Sequence, residues 1–161
     1  MSHAHRTRTI NVSHDRVWPL IEDFGGVHRF NPFIRKTTAT STPGTCAVGD
    51  TRRCEFYNDK AFVEEELTSI DPGRSITIEL TAGTMPFSSA TAVIEAIPVD
   101  REITKIRMDM SYKAKGGVLS PIVGLAMKPV MFFMLGKMLK SFEQHLETGQ
   151  LIGKNGKLIA A

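Results

Sequence analysis

The sequence predicts an α+β domain in which a curved antiparallel sheet closes on a long C-terminal helix. Three observations carry that expectation. Between Thr37 and Tyr112 strand-like runs alternate with short turn signals, which implies hairpins and not crossovers. Gly116-Gly117 then breaks the pattern, and a long apolar stretch follows that ends at Gly149, a helix-stop residue. Ahead of both, an opening strand passes directly into a short helix at Val12-Ser13.

The opening strand is expected over His5 to Val12, where Arg8, Ile10 and Val12 alternate. Ser13 offers an N-cap and Asp15 a negative charge in the first turn, where the helix dipole favours it. Val17, Leu20, Ile21 and Phe24 follow at helical spacing, although Pro19 removes a backbone donor and predicts a bend or a late start. After Gly25-Gly26 a single helical turn before Pro32 leads into the sheet. The strands are then expected at Thr37–Ser41, Asp50–Tyr57, Ala61–Ile70, Ser75–Thr81, Ser89–Ile97 and Ile103–Tyr112. Pro43-Gly44, Asn58-Asp59, Asp71-Pro72-Gly73 and Pro98–Arg101 turn the chain between them. Ser120-Pro121 starts the helical end, Pro129 allows a second start, and a helix should cover about Val130 to Leu146. Residues 1–149 form one domain on this reading, and residues 150–161 a loosely ordered tail.

Composition narrows the functions. A chain of 161 residues fits one domain, and its 42% hydrophobic and 23% charged content is that of an ordinary globular protein. The net charge of +3 invites nucleic acid, but the cations are scattered and most aromatics lie in apolar runs, so no nucleic-acid partner is expected. Cys46 and Cys54 are the only cysteines, at neither metal nor oxidoreductase spacing. With a polar start that lacks an apolar signal core, they read as reduced thiols of a cytoplasmic protein. His3 and His5 read as solvated, so neither a metal nor any other cofactor is expected. The apolar run Val118 to Leu135 has the length of a membrane span. Lys128 inside it would cost about 2.5–3.5 kcal/mol in mid-bilayer, and two consecutive buried helical pieces are expected instead of a transmembrane segment.

Local patterns add a resemblance. Val12-Ser13-x-x-x-Val17-Trp18-x-Leu20-Ile21-x-Asp23-Phe24 is similar to a known first strand-to-helix passage. Phe30-Asn31-Pro32-Phe33-Ile34 resembles the aromatic-x-Pro-aromatic step that follows it. Val48-Gly49-Asp50-Thr51-Arg52-Arg53 resembles a Val-Gly-x-x-Arg strand start. Val63-x-Glu65-x-Leu67-x-x-x-Asp71, with Arg74 after it, is similar to the paired strands and turn beyond. In this order and spacing they resemble the START-related, Bet v 1-like (SRPBCC) superfamily, in its polyketide cyclase/dehydrase and lipid-transport branch, over about the first 149 residues. Pro19 departs from the pattern. The resemblance implies a helix-grip fold with an internal cavity for an apolar ligand. It leaves function open, since such members include transporters, cyclases, hydrolases and ligand-gated regulators.

The candidate ligand contacts are Trp18, His28, Phe30, Asn31, Phe33, Glu65, Met108, Met110, Tyr112, Met131, Met134 and Met138, and no residue is assigned as catalytic. Strand parity sets Glu65 with Ala61, Val63 and Leu67, so it is either a desolvated acid–base group or the ion-pair partner of Arg52 or Arg53, the second being favoured. His28 and Asn31 lie in the segment that the resemblance puts near a cavity mouth, though His28 has no orienting partner nearby and reads first as a surface residue. Tyr112 follows Ile106, Met108 and Met110 on one strand face and is either a polar end for a cavity or plain core. Met127, Met131, Met134 and Met138 share a helix with Phe132, Phe133 and Phe142; flexible thioethers suit a surface that adapts to varied apolar shapes. The helix is apolar nearly all round between Val130 and Leu135, which predicts burial on more than one side. The leading function is binding or carriage of a hydrophobic small molecule (lipid, polyketide or isoprenoid). The rivals are a cyclase or dehydratase that uses Glu65, His28 or Tyr112, and a protein that docks on a partner or membrane through residues 118–135. Transient membrane contact and a homodimer both stay open.

Overall fold

A computed structural model describes residues 1–160. Strand β1 (Ser2–Ile10) leads into helix α1 (His14–Glu22) and a 3-10 helix (Phe24–Arg29). Six strands follow: β2 (Ile34–Ala39), β3 (Thr51–Phe56), β4 (Phe62–Asp71), β5 (Ser75–Gly83), β6 (Phe87–Pro98) and β7 (Thr104–Ala114). A short 3-10 turn (Gly117–Leu119) then opens the long helix α2 (Ser120–Thr148). The seven strands form one antiparallel sheet in the order β1-β7-β6-β5-β4-β3-β2, so β1 returns beside the last strand while every other neighbour is a hairpin. Register shifts interrupt the ladders within β2–β3, β4–β5 and β6–β7. Such bulges bend the strands and increase their twist, and they curve the sheet around α2. This is the α+β helix-grip architecture that the sequence predicts.

The opening strand begins earlier and ends sooner than expected, because all of Ser2 to Ile10 pairs with β7. Val12 stays buried beyond its end, and its carbonyl accepts a hydrogen bond from Thr104 Oγ1 at 2.8 Å. Pro19 does not delay α1, which runs from His14 past it to Glu22. The proline faces solvent, so the carbonyl it leaves unpaired can be hydrated, while Val17, Trp18 and Ile21 keep the buried face.

Three expectations at the C-terminal end are corrected. Pro129 starts no second helix, and α2 is a single helix of 29 residues that passes through it on the exposed side. The apolar run is not buried on more than one side: Met131, Leu135, Leu139 and Phe142 enter the core, whereas Val118, Ile122, Leu125, Val130, Phe132 and Phe133 are exposed. Within the described residues the tail, 150–160, is not loose. Gly149 caps α2 in the left-handed region at φ 68°, its N–H donating to the His145 carbonyl, and the chain doubles back as a small hairpin of β8 (Leu151–Ile152) and β9 (Leu158–Ile159). Ile152 is fully buried there, and the Asn155 N–H donates to the Pro32 carbonyl.

Candidate functional site

The concave face of the sheet and the inner face of α2 do not meet everywhere. Between them lies a cavity of about 160 Å³, with Leu20, Ile21, Val27 and Phe30 of the α1 segment as one wall. The sheet contributes Cys54 and Phe56 from β3, Val63 and Glu65 from β4, and Ile76, Ile78 and Leu80 from β5. Ala90, Ala92 and Ile94 of β6 and Met108 and Met110 of β7 complete it. Period-2 alternation explains these sets, since residues two apart share a face. On β6 Ala90 sits opposite Tyr112 and Ala92 opposite Met110, and these small side chains leave the void that the methionines border. Met131, Met134, Leu135, Met138 and Phe142 of α2 form the roof. Six of the eight methionines of the chain, with Met85 in the β5–β6 turn, touch this space.

Few polar groups reach it (Asp23, Asn31, Arg52, Glu65 and Asp109), and each has a partner within the protein, Asp109 being paired with Arg107. Arg52 and Glu65 are directly opposed across β3 and β4. Arg52 Nε donates to Glu65 Oε2 at 2.7 Å, and Nη1 donates to the Phe24 carbonyl at 2.9 Å. The guanidinium also lies 4.3 Å from the centroid of the Phe24 ring. Burial by itself would lower the Arg52 pKa, but the charge and hydrogen bond of Glu65 outweigh it and hold the group above its ordinary value. Cys54 Sγ sits 4.0 Å from the same carboxylate oxygen, and burial pushes its thiol up to about 11. Asp23 Oδ2 accepts from Arg29 at 3.2 Å and Oδ1 from the Gly44 N–H at 2.9 Å. Asn31 is buried, and its Oδ1 accepts from the Phe33 N–H at 2.9 Å, an Asx turn that brings Phe30 and Phe33 to the wall around Pro32.

Of the twelve candidate contacts, Phe30, Asn31, Phe33, Glu65, Met108, Met110, Met131, Met134 and Met138 border the cavity, and Trp18, His28 and Tyr112 do not. Trp18 is buried on α1 and stacks on His14, whereas Leu20 and Ile21 are the residues of that helix that border the cavity. His28 is on the 3-10 helix, where its neighbour Val27 takes the inward position. Its Nδ1 is buried without a hydrogen-bond partner, and burial, then Arg29, lower its pKa. Tyr112 is fully buried and its hydroxyl donates to the Gly124 carbonyl at 2.9 Å, so it ties β7 to α2. The sequence reading missed Met85, Cys54, Phe56 and Phe142 as wall residues. The strict alternation of Ile76, Ile78 and Leu80 signalled a common face, but not that this face borders a void. Among the described residues, no cluster of three His, Cys, Asp or Glu could hold a metal ion.

Several solved structures share this architecture. A START superfamily protein from Mycobacterium smegmatis is 16% identical with a TM-score of 0.74, over 91% of this chain and 98% of that one. The truncated norcoclaurine synthase of Thalictrum flavum is 14% identical with a TM-score of 0.68, over 91% and 94%. The di-domain ARO/CYC protein BexL from the BE-7585A biosynthetic pathway is 15% identical with a TM-score of 0.69, over 90% of this chain and 47% of that one. At these identities the likeness is one of fold. No curated protein matches the sequence. The model of the family described as polyketide cyclase / dehydrase and lipid transport matches residues 1–147, which spans the sheet and nearly all of α2. The chain therefore belongs to the polyketide cyclase/dehydrase and lipid-transport family.

Proposed function

We propose that this protein binds a small hydrophobic molecule in the cavity under α2 and carries or sequesters it. The observation that carries this reading is the wall itself: apolar on nearly every side, rich in methionine, and with its few charged groups already paired within the protein. An apolar cavity of about 150 Å³ is enough to take up benzene. A void of about 160 Å³ thus suits a ligand portion of one or two rings without rearrangement. A longer lipid, polyketide or isoprenoid requires side chains to move aside, and methionine does so at little cost. Cys46 and Cys54 are free thiols, in keeping with a cytoplasmic carrier.

Non-denaturing mass spectrometry of the protein purified without detergent tests the reading. A retained apolar small molecule, released on denaturation and rebound on refolding, is the expected result. A protein that neither retains one nor binds any member of an apolar panel removes the carrier function. The second reading is catalysis in the same cavity, a cyclase or dehydratase, favoured by the Glu65 carboxylate on a mostly apolar wall. Conversion of the retained molecule into a product of different mass would move the assignment to it.

A further inference from the structure

Helix α2 carries a second apolar face that the cavity does not use. Ile122, Leu125, Phe132 and Phe133 recur at helical spacing on its outer side, with Val118 one turn ahead of them. Val118 is 95% exposed, Ile122 67%, Leu125 63% and Phe133 65%. Isolated exposed apolar residues need no explanation, but a continuous stripe over several turns of one helix does. Met131 and Leu135, which roof the cavity, and Leu139 are buried in the core on the other side of the helix.

The charge around the stripe is of one sign. From Lys113 to Phe142 the chain holds five lysines and no aspartate or glutamate. By helical geometry Lys128 and Lys137 fall on opposite flanks of the stripe, and Lys140 lies beyond its end. Arg6 of β1 stacks over the Phe132 ring at 4.1 Å, and Lys137 Nζ is 5.9 Å from the Phe133 ring centroid. The first acid after the stripe, Glu143, is already paired with Arg8.

We propose that this outer face of α2 docks on an anionic lipid bilayer, with the apolar stripe in the headgroup–acyl boundary and the lysines on lipid phosphates. An apolar stripe flanked by cations is the form that lies in a membrane interface. A second copy of the chain fits less well, because a two-fold contact through this face would set lysines against lysines with no acid to pair them. Crossing the bilayer is disfavoured too, since it would strip Leu135, Leu139 and Phe142 from the core. Docked in this way, the bilayer lies one helix diameter, about 10 Å, from the cavity that α2 roofs.

Flotation of the full-length protein with vesicles of phosphatidylcholine, with and without phosphatidylglycerol, tests this. Binding should require phosphatidylglycerol and weaken with added salt. Ile122→Ser with Phe133→Ser should lower the partition coefficient about tenfold or more. Replacing Lys128, Lys137 and Lys140 by Gln should lower it by about fivefold per lysine. Because these side chains lie mostly outside the core, unchanged thermal melting should accompany both sets; if the apolar pair fails to fold, the lysine set alone decides. Phe133→Trp should blue-shift its emission only with the anionic vesicles. Equal binding to both vesicle types, no binding to either, or a dimer in sedimentation velocity that Ile122→Ser with Phe133→Ser dissolves would each overturn the proposal.

Discussion

At Glu65 the carboxylate is paired with a guanidinium that is itself only 9% exposed, while the Glu65 side chain is 22% exposed. Removing one partner of such a pair leaves the other buried and uncompensated, which costs more than the pair contributes. Glu65→Gln should therefore lower unfolding stability by about 3 kcal/mol in urea denaturation, with ligand binding retained. A fully stable Glu65→Gln protein that has lost an activity would make the residue an acid–base group instead. Cys54, beside the same carboxylate, is held protonated chiefly by burial, which raises its thiol from 9.0 to about 11; Arg52 opposes the shift and Glu65 adds to it. In the unfolded chain it ionises near the ordinary value, so its contribution to stability is complete below about pH 9 and is lost as the pH rises toward 11. Cys54→Ala should remove that part of the alkaline decline, about 2–3 kcal/mol, from stability measured across pH 8–11. At pH 8 only about one Cys54 thiol in a thousand is thiolate, so iodoacetamide should label the half-buried Cys46 first.

Among the elements, α2, like α1 at Pro19, keeps its structure against its local sequence. Pro129 lies inside it, where the ring removes one hydrogen bond of the ladder and crowds the preceding turn. The helix persists because both of its halves are held from outside: Tyr112 bonds the Gly124 carbonyl on one side of Pro129, and Met131 to Phe142 are anchored in the core on the other. Pro129→Ala restores the missing donor on an exposed position. It should stabilise the protein by up to about 3 kcal/mol and slow amide exchange over residues 120–128, as hydrogen-exchange mass spectrometry would read. No gain would mean that the backbone has relaxed around the proline.

Across the whole molecule, the cavity lies where the curved sheet and α2 do not meet, and small residues on β6 leave the remaining gap unfilled. Bulky groups on the roof should close it. Met131→Trp with Met134→Trp should weaken binding of an environment-sensitive apolar dye at least about tenfold in a fluorescence titration, with the fold retained in circular dichroism. Dye binding that survives both substitutions would put the binding site elsewhere.

Much of this was legible in the chain itself, for physical reasons that differ by feature. Alternation, turn residues and the Gly116-Gly117 break specify strands, hairpins and the final helix, because these respond to neighbours within a few positions. The Arg52–Glu65 pairing was within reach as well: hairpin order makes β3 and β4 adjacent, and parity puts Glu65 on an inward face. Tertiary structure alone decided which apolar faces are covered. Phe133 and Leu135 look alike in sequence, yet one faces solvent and the other the core, since only the position of β1 and β7 fixes the side of α2 that is buried. The same holds for Tyr112, whose hydroxyl was spent on the Gly124 carbonyl once α2 lay across β7, and for Met85, whose turn is aimed by the hairpin it closes. Periodicity tells which residues share a face. What that face meets depends on the rest of the chain.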